Sequence, residues 1–549
     1  MTESLLMAVE YGGYISIVKL VIFLILYFPW FLLIGWTYKD AKAVGTNIPL
    51  WIGMILGAGA LGTLLWWLIP IFFVGLLAYA IGIGAVALAY VRHRNSRVLD
   101  FDKVLTVEHV KSLVSQSKKL EAMENFMFIT SNNNDVPPPE PRTPMFFGYR
   151  TAYDTLTDAM WRRASTITFA PKGETYEIAY NIDGASTKQP AMQRDQMEYL
   201  IHFVKELAGL DIKEKRKPQK GKFRTRQNKQ NTDWEVMTAG STAGEQVRLK
   251  RISKESALRL GDLGLTQEQF EQLNSFRQTG QGVFLVTGPA RSGVTTTLYA
   301  LMRNHDAFIN NVNTIEKQPS STLPNVTQTV FTLTDTGTTT YAKKLQTIAR
   351  MGADVIGVGE CEDIETAQIA SIAARDGKII YVAMEATSVL QALGKWLKYV
   401  KDRKLVSQTL LGIGNQRLLR KLCEECKQGY APNKEILKKF NLPAEKAKVL
   451  FRPGKEVFDK RGKPSTCGHC QGTGFIGRTA VFEMIMLDDE LKKAIRTVKQ
   501  LPEFGIRFRK AKMLYLQEQA LRKAIAGTTA VNEMLRVLAA SKKRGAPAS

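Results

Sequence analysis

Two apolar segments near the N-terminus limit most strongly what this chain can fold into. The run ISIVKLVIFLILYFPWFLLIGW, residues 15–36, is long enough to cross a bilayer and carries one charge, Lys19. A second apolar block covers residues 48–91, about twice the length that one spanning helix needs. Pro70 interrupts this block near its middle, which favours a tight helical hairpin. The pattern predicts a transmembrane region, 1–93, with three spans at residues 15–36, 48–68 and 71–91.

The charges that flank these segments predict their orientation. The N-terminus carries Glu3 and Glu10 and no Lys or Arg before the first span, whereas RHRNSR follows the third span. Because positively charged loops stay in the cytoplasm, the N-terminus is expected outside and everything after residue 91 inside. A cleaved signal peptide is the alternative, but the segment has neither a basic n-region nor an A-x-A cleavage site. We therefore expect a multi-pass membrane protein with its soluble domains in the cytoplasm.

The net charge of the 549-residue chain limits the chemical classes of partner that it is expected to bind. A formal net charge of +24 indicates an anionic partner, such as a nucleotide, acidic lipid headgroups or nucleic acid. The densest basic stretch, KEKRKPQKGKFRTRQNK at 213–229, is either a solvated surface loop or a strip that meets phosphates. It lacks the interleaved aromatic residues on which single-strand binders stack bases. Nucleic acid is therefore the partner that the sequence favours least.

Composition and periodicity divide the rest of the chain. Residues 94–147 are mostly polar, and their proline run NNNDVPPPEPRTP predicts a semi-stiff linker. Short helix and strand patterns predict a small α+β domain at 148–250. Over 255–420, apolar strands alternate with amphipathic helices, which implies a parallel sheet with helices on both faces. A cysteine-containing module at 421–482 and C-terminal helices with a basic tail at 483–549 complete the predicted organisation.

One loop of the α/β region has the outline of a phosphate-binding loop, G-x-x-x-x-G-K-[ST]. The stretch GPARSGVT, residues 288–295, follows an apolar strand and precedes a helix, as the motif requires. In such a loop, backbone N–H groups cradle phosphates and a hydroxyl, here that of Thr295, holds Mg²⁺. Val294 replaces the lysine, which costs about 1.5–3 kcal/mol of binding, or roughly ten- to a hundred-fold. Arg291 is a badly placed substitute. The residues expected at a nucleotide are Gly288, Arg291, Ser292, Gly293, Val294, Thr295 and Thr296.

Four of the five cysteines form two C-x-x-C pairs, Cys423/Cys426 and Cys467/Cys470, separated by 40 residues. Four thiolates bind Zn²⁺ tetrahedrally and leave no open position, so the spacing predicts a structural zinc site. Four unliganded thiols are the alternative. His469 lies inside the second pair, and we interpret it as a bystander rather than a ligand.

From about residue 149 to 538 the sequence resembles the hexameric ATPases of type II secretion and type IV pilus assembly. The resemblance is carried, in order, by RRASTITFAP, LGDLGLTQEQFEQL, LVTGPARSG, ADVIGVGE, DIETAQIA, LLGIGNQRLLRKLCEECK and CGHCQGTGFIGRTAVFEMI. It implies a RecA-like P-loop core, ATP or ADP with Mg²⁺, and a bacterial inner-membrane machine. The apolar N-terminal region lies outside the resemblance and is unusual for these mostly peripheral ATPases.

The resemblance also implies roles for single positions. Glu316 matches the acidic residue of the "Asp box", and Glu360 matches the Walker B glutamate that positions attacking water and Mg²⁺. Arg216 and Lys222 match basic positions that approach the nucleotide. The zinc module is implied to pack near the docking site of membrane platform proteins.

Four positions depart from the family pattern. Val294 replaces the lysine, Lys317 replaces an acid, Glu362 replaces the Walker B arginine and Glu385 replaces a histidine. These changes favour impaired or absent ATP turnover, in a structural or nucleotide-sensing component of a secretion or pilus machine. Expected partners are further copies in a hexamer or a mixed ring with an active paralogue, inner-membrane platform proteins and lipids. The alternatives are a working motor, with Lys317 or Arg291 replacing the lysine, and a nucleotide-independent membrane scaffold.

Overall fold

The structure is a computed structural model that describes residues 17–69, 71–98, 103–106, 126–139, 143–252, 258–332, 340–439, 448–458 and 463–544. The chain divides into two compact units. The first holds the described residues up to Lys250, except for Asp158–Ile167 and Ala179–Lys188. Those two stretches and the described residues from Arg251 onward form the second.

Three apolar helices begin the described chain: α1 (Ile17–Val44), α2 (Ile48–Leu68) and α3 (Phe72–Asn95). They carry most of the large apolar side chains that are exposed among the described residues, and Trp67 is 87% exposed. Where the helices meet, glycines lie against tryptophan rings. A Cβ at Gly59 would lie 2.0 Å from the Trp30 side chain, and one at Gly75 would lie 2.4 Å from the Trp66 side chain. Close helix contact over glycine is typical of packing in lipid.

Among the described residues, two helices, α2 and α3, are long and apolar enough to cross a membrane. They cover the predicted spans 48–68 and 71–91. The predicted span 15–36 begins outside the described residues, and its remainder lies in α1, which is not one of these two helices. The predicted three-span topology is therefore not supported as it stands.

A buried ion pair joins the first of these helices to the third. Arg94 Nε on α3 lies 2.9 and 3.2 Å from the two carboxylate oxygens of Asp40 on α1, and both side chains are 1% exposed. The Tyr90 hydroxyl donates to the same carboxylate at 2.7 Å. Removing one partner of such a pair costs about 3–5 kcal/mol. The cluster therefore fixes α1 against α3.

An eight-stranded sheet follows. Its strands are β1 (Phe126–Ile129), β2 (Asp135–Val136), β3 (Thr166–Lys172), β4 (Thr175–Ile182), β5 (Ala185–Gln193), β6 (Gln219–Gln227), β7 (Gln230–Ser241) and β8 (Gly244–Ile252), in the order β2-β1-β6-β7-β8-β3-β4-β5. Two helices accompany it, α4 (Pro144–Trp161) and α5 (Arg194–Leu207). Phe203 of α5 packs on Phe128 of β1, with ring centroids 5.1 Å apart. The sequence placed β1 and β2 in the linker 94–147, but both belong to this sheet.

The basic stretch at 213–229 is not a free loop. Its second half is β6, which pairs antiparallel with β7. The cations of β6 meet acids on β7 and β2 in three ion pairs: Arg224–Asp233 at 2.8 Å, Lys220–Glu235 at 2.9 Å and Arg226–Asp135 at 3.3 Å. These pairs engage three of the nine Lys and Arg residues of the stretch. The expectation of a surface loop is therefore wrong for this half, whereas the alternative of a strip that meets phosphates stays a prediction.

The second unit contains strands β9 (Gly282–Gly288), β10 (Val312–Glu316), β11 (Thr327–Val330), β12 (Val355–Val358), β13 (Ile379–Glu385), β14 (Leu410–Leu422), β15 (Gln428–Tyr430), β16 (Leu450–Arg452), β17 (Glu456–Phe458), β18 (Pro464–Thr466) and β19 (Phe475–Met486). Seven of them form a sheet in the order β11-β10-β12-β13-β9-β14-β19. Its neighbours are parallel except for β14 and β19. Two antiparallel pairs, β15–β16 and β17–β18, stand apart from it.

Helices cover both faces of the seven-stranded sheet. They are α6 (Gln267–Gln278), α7 (Val294–Arg303), α8 (Tyr341–Arg350), α9 (Ile364–Arg375), α10 (Val389–Val400), α11 (Arg403–Thr409), α12 (Lys434–Lys439), α13 (Asp489–Thr497), α14 (Pro502–Lys510), α15 (Leu516–Ile525) and α16 (Val531–Arg544), with α12 outside these two layers. One apolar core contains Leu298 of α7, and another contains Ala370 of α9. The predicted alternation of strands and helices is present. Because β9, β10, β12 and β13 are parallel, their carboxyl ends meet at one edge of the sheet.

Candidate nucleotide site and cysteine cluster

The glycine loop lies at that edge, where β9 ends and α7 begins. Arg291 and Gly293 turn the loop with φ values of 67° and 90°. A Cβ at Gly293 would lie 3.2 Å from Gln416 Nε2, and one at Gly288 would lie 2.2 Å from Ser292 Oγ. A positive φ and close neighbours both favour a residue without a side chain. The local packing therefore requires both glycines of the motif.

The start of α7 offers donors to an anion. Gly293 is its N-cap and provides no side-chain cap, so the first N–H groups of the helix have no partner within it. Thr297 is the first residue whose N–H bonds back along the helix, to Gly293 O at 3.0 Å. The side chain of Thr295 is exposed beside these groups. This loop fits the phosphates of a nucleotide, and Thr295 is the residue that would hold its Mg²⁺.

Val294 changes the charge of this loop but not its shape. Its side chain packs against the apolar core that also contains Leu298 and Phe284. A lysine ammonium at this position would face phosphates instead. Arg291, the predicted substitute, is exposed on the turn. Thr296 is half-buried in the first turn of α7.

Glu316 lies at the end of β10 and is almost completely buried. Its carboxylate accepts hydrogen bonds from Tyr299 Oη at 2.6 Å, Thr314 Oγ1 at 2.9 Å and Gln328 Nε2 at 3.3 Å. Tyr299 belongs to α7, so Glu316 joins this helix to the sheet. The structure places Glu316 as a buried anchor beneath the loop.

Glu360 follows β12 and is half-buried. The backbone N–H of Lys317 donates to Glu360 Oε2 at 3.1 Å, and the Tyr341 hydroxyl lies 3.3 Å from the same oxygen. Burial raises the pKa of the Glu360 carboxyl. A more basic carboxylate is better suited to take a proton from water. Tyr341, which the sequence reasoning missed, is the first residue of α8 and also donates to Ile315 O at 2.7 Å.

Lys317 and Glu362 form an ion pair, with Nζ and Oε2 separated by 2.5 Å. The resemblance implied an acid at the first position and an arginine at the second. The two departures therefore exchange the signs of the charges and leave their sum unchanged. Because Lys317 is engaged with Glu362, the structure does not place it as a substitute for the loop lysine.

Glu385 ends β13, and its Cα pairs with that of Gly288 in the parallel register of β13 and β9. The side chain is exposed. An acidic residue is therefore paired with the first residue of the loop, at the position where the resemblance implied a histidine. Like charges repel, so this carboxylate disfavours a bound phosphate.

Three consecutive polar residues of β14, Asn415, Gln416 and Arg417, lie beside the glycine loop. Asn415 Nδ2 donates to Thr287 Oγ1 at 2.8 Å, and Gln416 Nε2 donates to Ser292 O at 2.9 Å. Arg417 is the third member and is also buried. Sequence reasoning used this stretch only as a mark of resemblance. The available signal was three consecutive polar residues within the apolar strand LLGIGNQRLLRKL.

Arg216 and Lys222 belong to the first unit. Arg216 lies between α5 and β6, where it lines a groove of about 1570 Å³ with Tyr199 and His202. Lys222 is exposed on β6. The glycine loop belongs to the second unit, so the expectation that Arg216 and Lys222 approach its nucleotide stays a prediction.

The four paired cysteines are buried and converge. Their sulfur atoms all lie within 4.8 Å of one another, with Cys423–Cys467 at 3.9 Å and Cys426–Cys470 at 3.5 Å. Sulfurs around a tetrahedral zinc with bonds of about 2.3 Å are roughly 3.8 Å apart. The geometry thus fits a closed four-thiolate metal site. His469 Nδ1 lies 2.8 Å from Glu425 Oε1 and is not part of the group.

The model of the family described as "Type II/IV secretion system protein" matches residues 149–536, more than half of this chain. The chain belongs to this family. It is 34% identical over 389 residues to type II secretion system protein E of Dickeya dadantii, covering 70% of this chain and 74% of that protein. The resemblance that the motifs indicated is thereby confirmed.

A second relative of this secretion-family chain is the type IV pilus assembly ATPase PilB of Thermus thermophilus. The identity is 30% over 381 residues, which covers 69% of this chain and 42% of PilB. The chain thus matches less than half the length of that protein. Among solved structures, the ATPase DotB of Legionella pneumophila has a TM-score of 0.50 at 16% identity, covering 73% of this chain and 98% of DotB. The chain therefore has a secretion-ATPase fold.

Proposed function

We propose that this chain is a membrane-attached secretion-family protein that binds nucleotide at the glycine loop and hydrolyses it slowly or not at all. It acts as a structural or nucleotide-sensing component of a type II secretion or type IV pilus-like machine. One observation carries the proposal. The loop between β9 and α7 keeps its backbone cradle, with both glycines and an exposed Thr295, while Val294 packs into the apolar core.

The changes around the loop affect hydrolysis more than binding. Backbone N–H groups hold phosphates in the ground state and remain at the start of α7. A lysine contributes most when negative charge grows on the leaving and transferred groups, because it stabilises the transition state. Val294 removes that cation, and Glu385 adds a negative charge beside Gly288. We therefore expect retained but weakened binding and a larger loss of turnover.

Membrane attachment is supported by the exposed apolar side chains of α1, α2 and α3. We place these helices in a bacterial inner membrane, with a hexamer or mixed ring formed by the cytoplasmic body and platform proteins as neighbours. Retention of the full chain in liposomes after an alkaline carbonate wash tests the attachment. Release into the supernatant by that wash would contradict it.

The deciding experiment is equilibrium binding of a fluorescent ATP analogue to the full chain in detergent micelles with Mg²⁺, together with phosphate release. Binding in the micromolar range without release is the expected result. Absence of binding would overturn the proposal and leave a nucleotide-independent scaffold. Binding with turnover typical of an enzyme would make the chain a motor.

The motor is a second candidate because Glu360 is retained, held by Lys317 N–H and close to Tyr341. Glu360→Gln separates the two. In a motor, the substitution lowers the rate of phosphate release at least about a hundredfold, as expected for a lost general base. The affinity for ATP stays nearly unchanged. In the sensing component that we propose, phosphate release is already at the background level and does not change. Glu268→Gln is the control, since it removes an exposed carboxylate in the first turn of α6.

A further inference from the structure

Arg417 carries a buried positive charge close to the glycine loop. The residue is 3% exposed, and within the described ranges no carboxylate lies within 4 Å of its guanidinium nitrogens. Nη1 donates to Asn415 Oδ1 and to Gln416 O, each at 2.8 Å, and Nη2 donates to Thr387 O at 2.6 Å. Nε has no hydrogen-bond partner among the residues that the structure describes. In the described part of the chain, the guanidinium is therefore held by neutral oxygens alone.

Burying a cation without an anion is costly. Desolvation lowers the pKa of Arg417 to about 10, so the side chain is still charged at neutral pH. Glu483 on the adjacent strand β19 acts on this charge from beyond 4 Å, but its own carboxylate accepts the Val389 N–H at 3.1 Å. Burial also raises the pKa of Glu483. The positive charge of Arg417 is thus only partly compensated within the described protein.

The guanidinium touches both backbone segments that flank the loop. On one side it donates to Gln416 O, the carbonyl oxygen that a Cβ at Gly288 would approach to 2.9 Å. On the other side it donates to Thr387 O, one residue after Ala386, whose N–H donates to Gly288 O at 3.3 Å. Arg417 is therefore separated from Gly288 by a single layer of backbone on each side. In such a dry environment, a charge acts over a longer distance than it does in water.

We propose that Arg417 supplies, through the wall of the loop, part of the positive potential that Val294 no longer supplies to a bound nucleotide. The inference rests on the proposed nucleotide binding and names the residue that favours the phosphates. A bound polyphosphate acts as the missing counter-ion of Arg417. Because the effect is electrostatic, it grows with the number of phosphates, and the site selects nucleoside triphosphates and diphosphates over monophosphates.

The test compares fluorescent ATP, ADP and AMP analogues on the full chain in detergent micelles. Arg417→Gln is expected to weaken ATP binding about tenfold and AMP binding much less, whereas Arg417→Lys keeps most of the preference for ATP. Adding Val294→Lys to Arg417→Gln restores ATP affinity, because the loop again holds its own cation. Arg420→Gln is the matched control, since Arg420 lies on the same strand but pairs with Glu533 at 2.8 Å.

Two results would overturn the inference while the proposed function stands. One is unchanged ATP affinity in Arg417→Gln, and the other is an equal loss for ATP, ADP and AMP, which would make Arg417 a purely structural residue. Absence of nucleotide binding by the unmodified chain would overturn the proposed function and the inference together. If Arg417→Gln does not fold, Arg417→Met combined with Glu483→Gln removes the charges of both strands. That variant is expected to lose the preference for ATP over AMP, and keeping it would contradict the inference.

Discussion

The glycine loop and the cysteine cluster lie in the same unit, but their chemistry depends on different parts of the chain. The loop offers backbone N–H groups to a phosphate, so Gly288 and Gly293 preserve its shape even though Val294 and Glu385 alter its charge. The cluster is built only from side chains, and all four sulfurs lie within 4.8 Å of one another. In the proposed function, this backbone site keeps nucleotide binding while hydrolysis is lost. A site of four thiolates has no such intermediate state.

The largest expected effect is at the cluster. Cys467→Ser should remove the metal and unfold the module around it, because a structural zinc contributes about 10–16 kcal/mol of apparent binding free energy. Metal content by mass spectrometry should fall from one zinc per chain to none, with a large decrease in melting temperature. Cys361→Ser, a buried cysteine outside the cluster, is the control and should keep the zinc. If Cys467→Ser still bound one zinc per chain, the cysteine cluster would tolerate the loss of a ligand, and it would not differ from the glycine loop in this respect.

The next effect is at the loop. Val294→Lys should strengthen ATP binding by roughly ten- to a hundred-fold, because a charge-assisted hydrogen bond is worth about 1.5–3 kcal/mol. Titration with a fluorescent ATP analogue measures the change. Val294→Met has a similar length without the charge and should bind as weakly as the unmodified chain. An affinity that does not rise with lysine would show that the loop has lost its cradle as well as its cation.

A smaller gain is expected at the edge of β13. Glu385→Gln removes the carboxylate beside Gly288 and should strengthen ATP binding about fivefold, since two close charges in water interact by about 1 kcal/mol. The gain should shrink as salt is added, because exposed charges are screened. Glu268→Gln, an exposed acid in the first turn of α6, is the control. Equal gains for both variants would point to overall charge rather than to the position of Glu385.

The smallest effect is expected for the exchanged pair. Lys317→Glu and Glu362→Lys should each lower the free energy of unfolding by less than about 1 kcal/mol, because exposed ion pairs contribute little. The double variant restores the pair with the opposite signs and should recover the loss. Chemical denaturation of the three variants measures the coupling. A double variant that is no better than the sum of the single ones would show that the exchange is not compensatory.

The order of elements in the second unit could be predicted from the sequence. Each strand from β9 to β13 that the sequence indicated is a short apolar run bounded by turns, and the helices between them have the matching period. The first unit was harder. Strand β6 contains so many Lys and Arg that it resembles a loop, but Phe223 faces the core, and pairing with β7 sets Arg224 and Lys220 against acids. Local composition does not reveal which strand will supply those acids.

The candidate site shows the same limit. The spacing of the cysteines was enough to predict their convergence, because a C-x-x-C turn brings two thiols together by itself. The partner of Lys317 was not predictable, since Glu362 is 45 residues away and the contact depends on how β10 and β12 end side by side. Glu316 was assigned a catalytic role, and only the packing of Tyr299 against it shows that its carboxylate is already engaged. Arg417 was overlooked because its role depends on which oxygens surround it.

The ion pair between Asp40 and Arg94 has a consequence for biosynthesis. The two residues are 54 positions apart, so at about 5–20 residues per second Asp40 is made roughly 3–11 seconds before its partner exists. In the proposed membrane setting, an unpaired carboxylate is poorly tolerated by lipid. In that setting we expect the first helix to pack stably only after the third has been made. Assembly of the three helices would then be a single late event that follows the synthesis of Arg94.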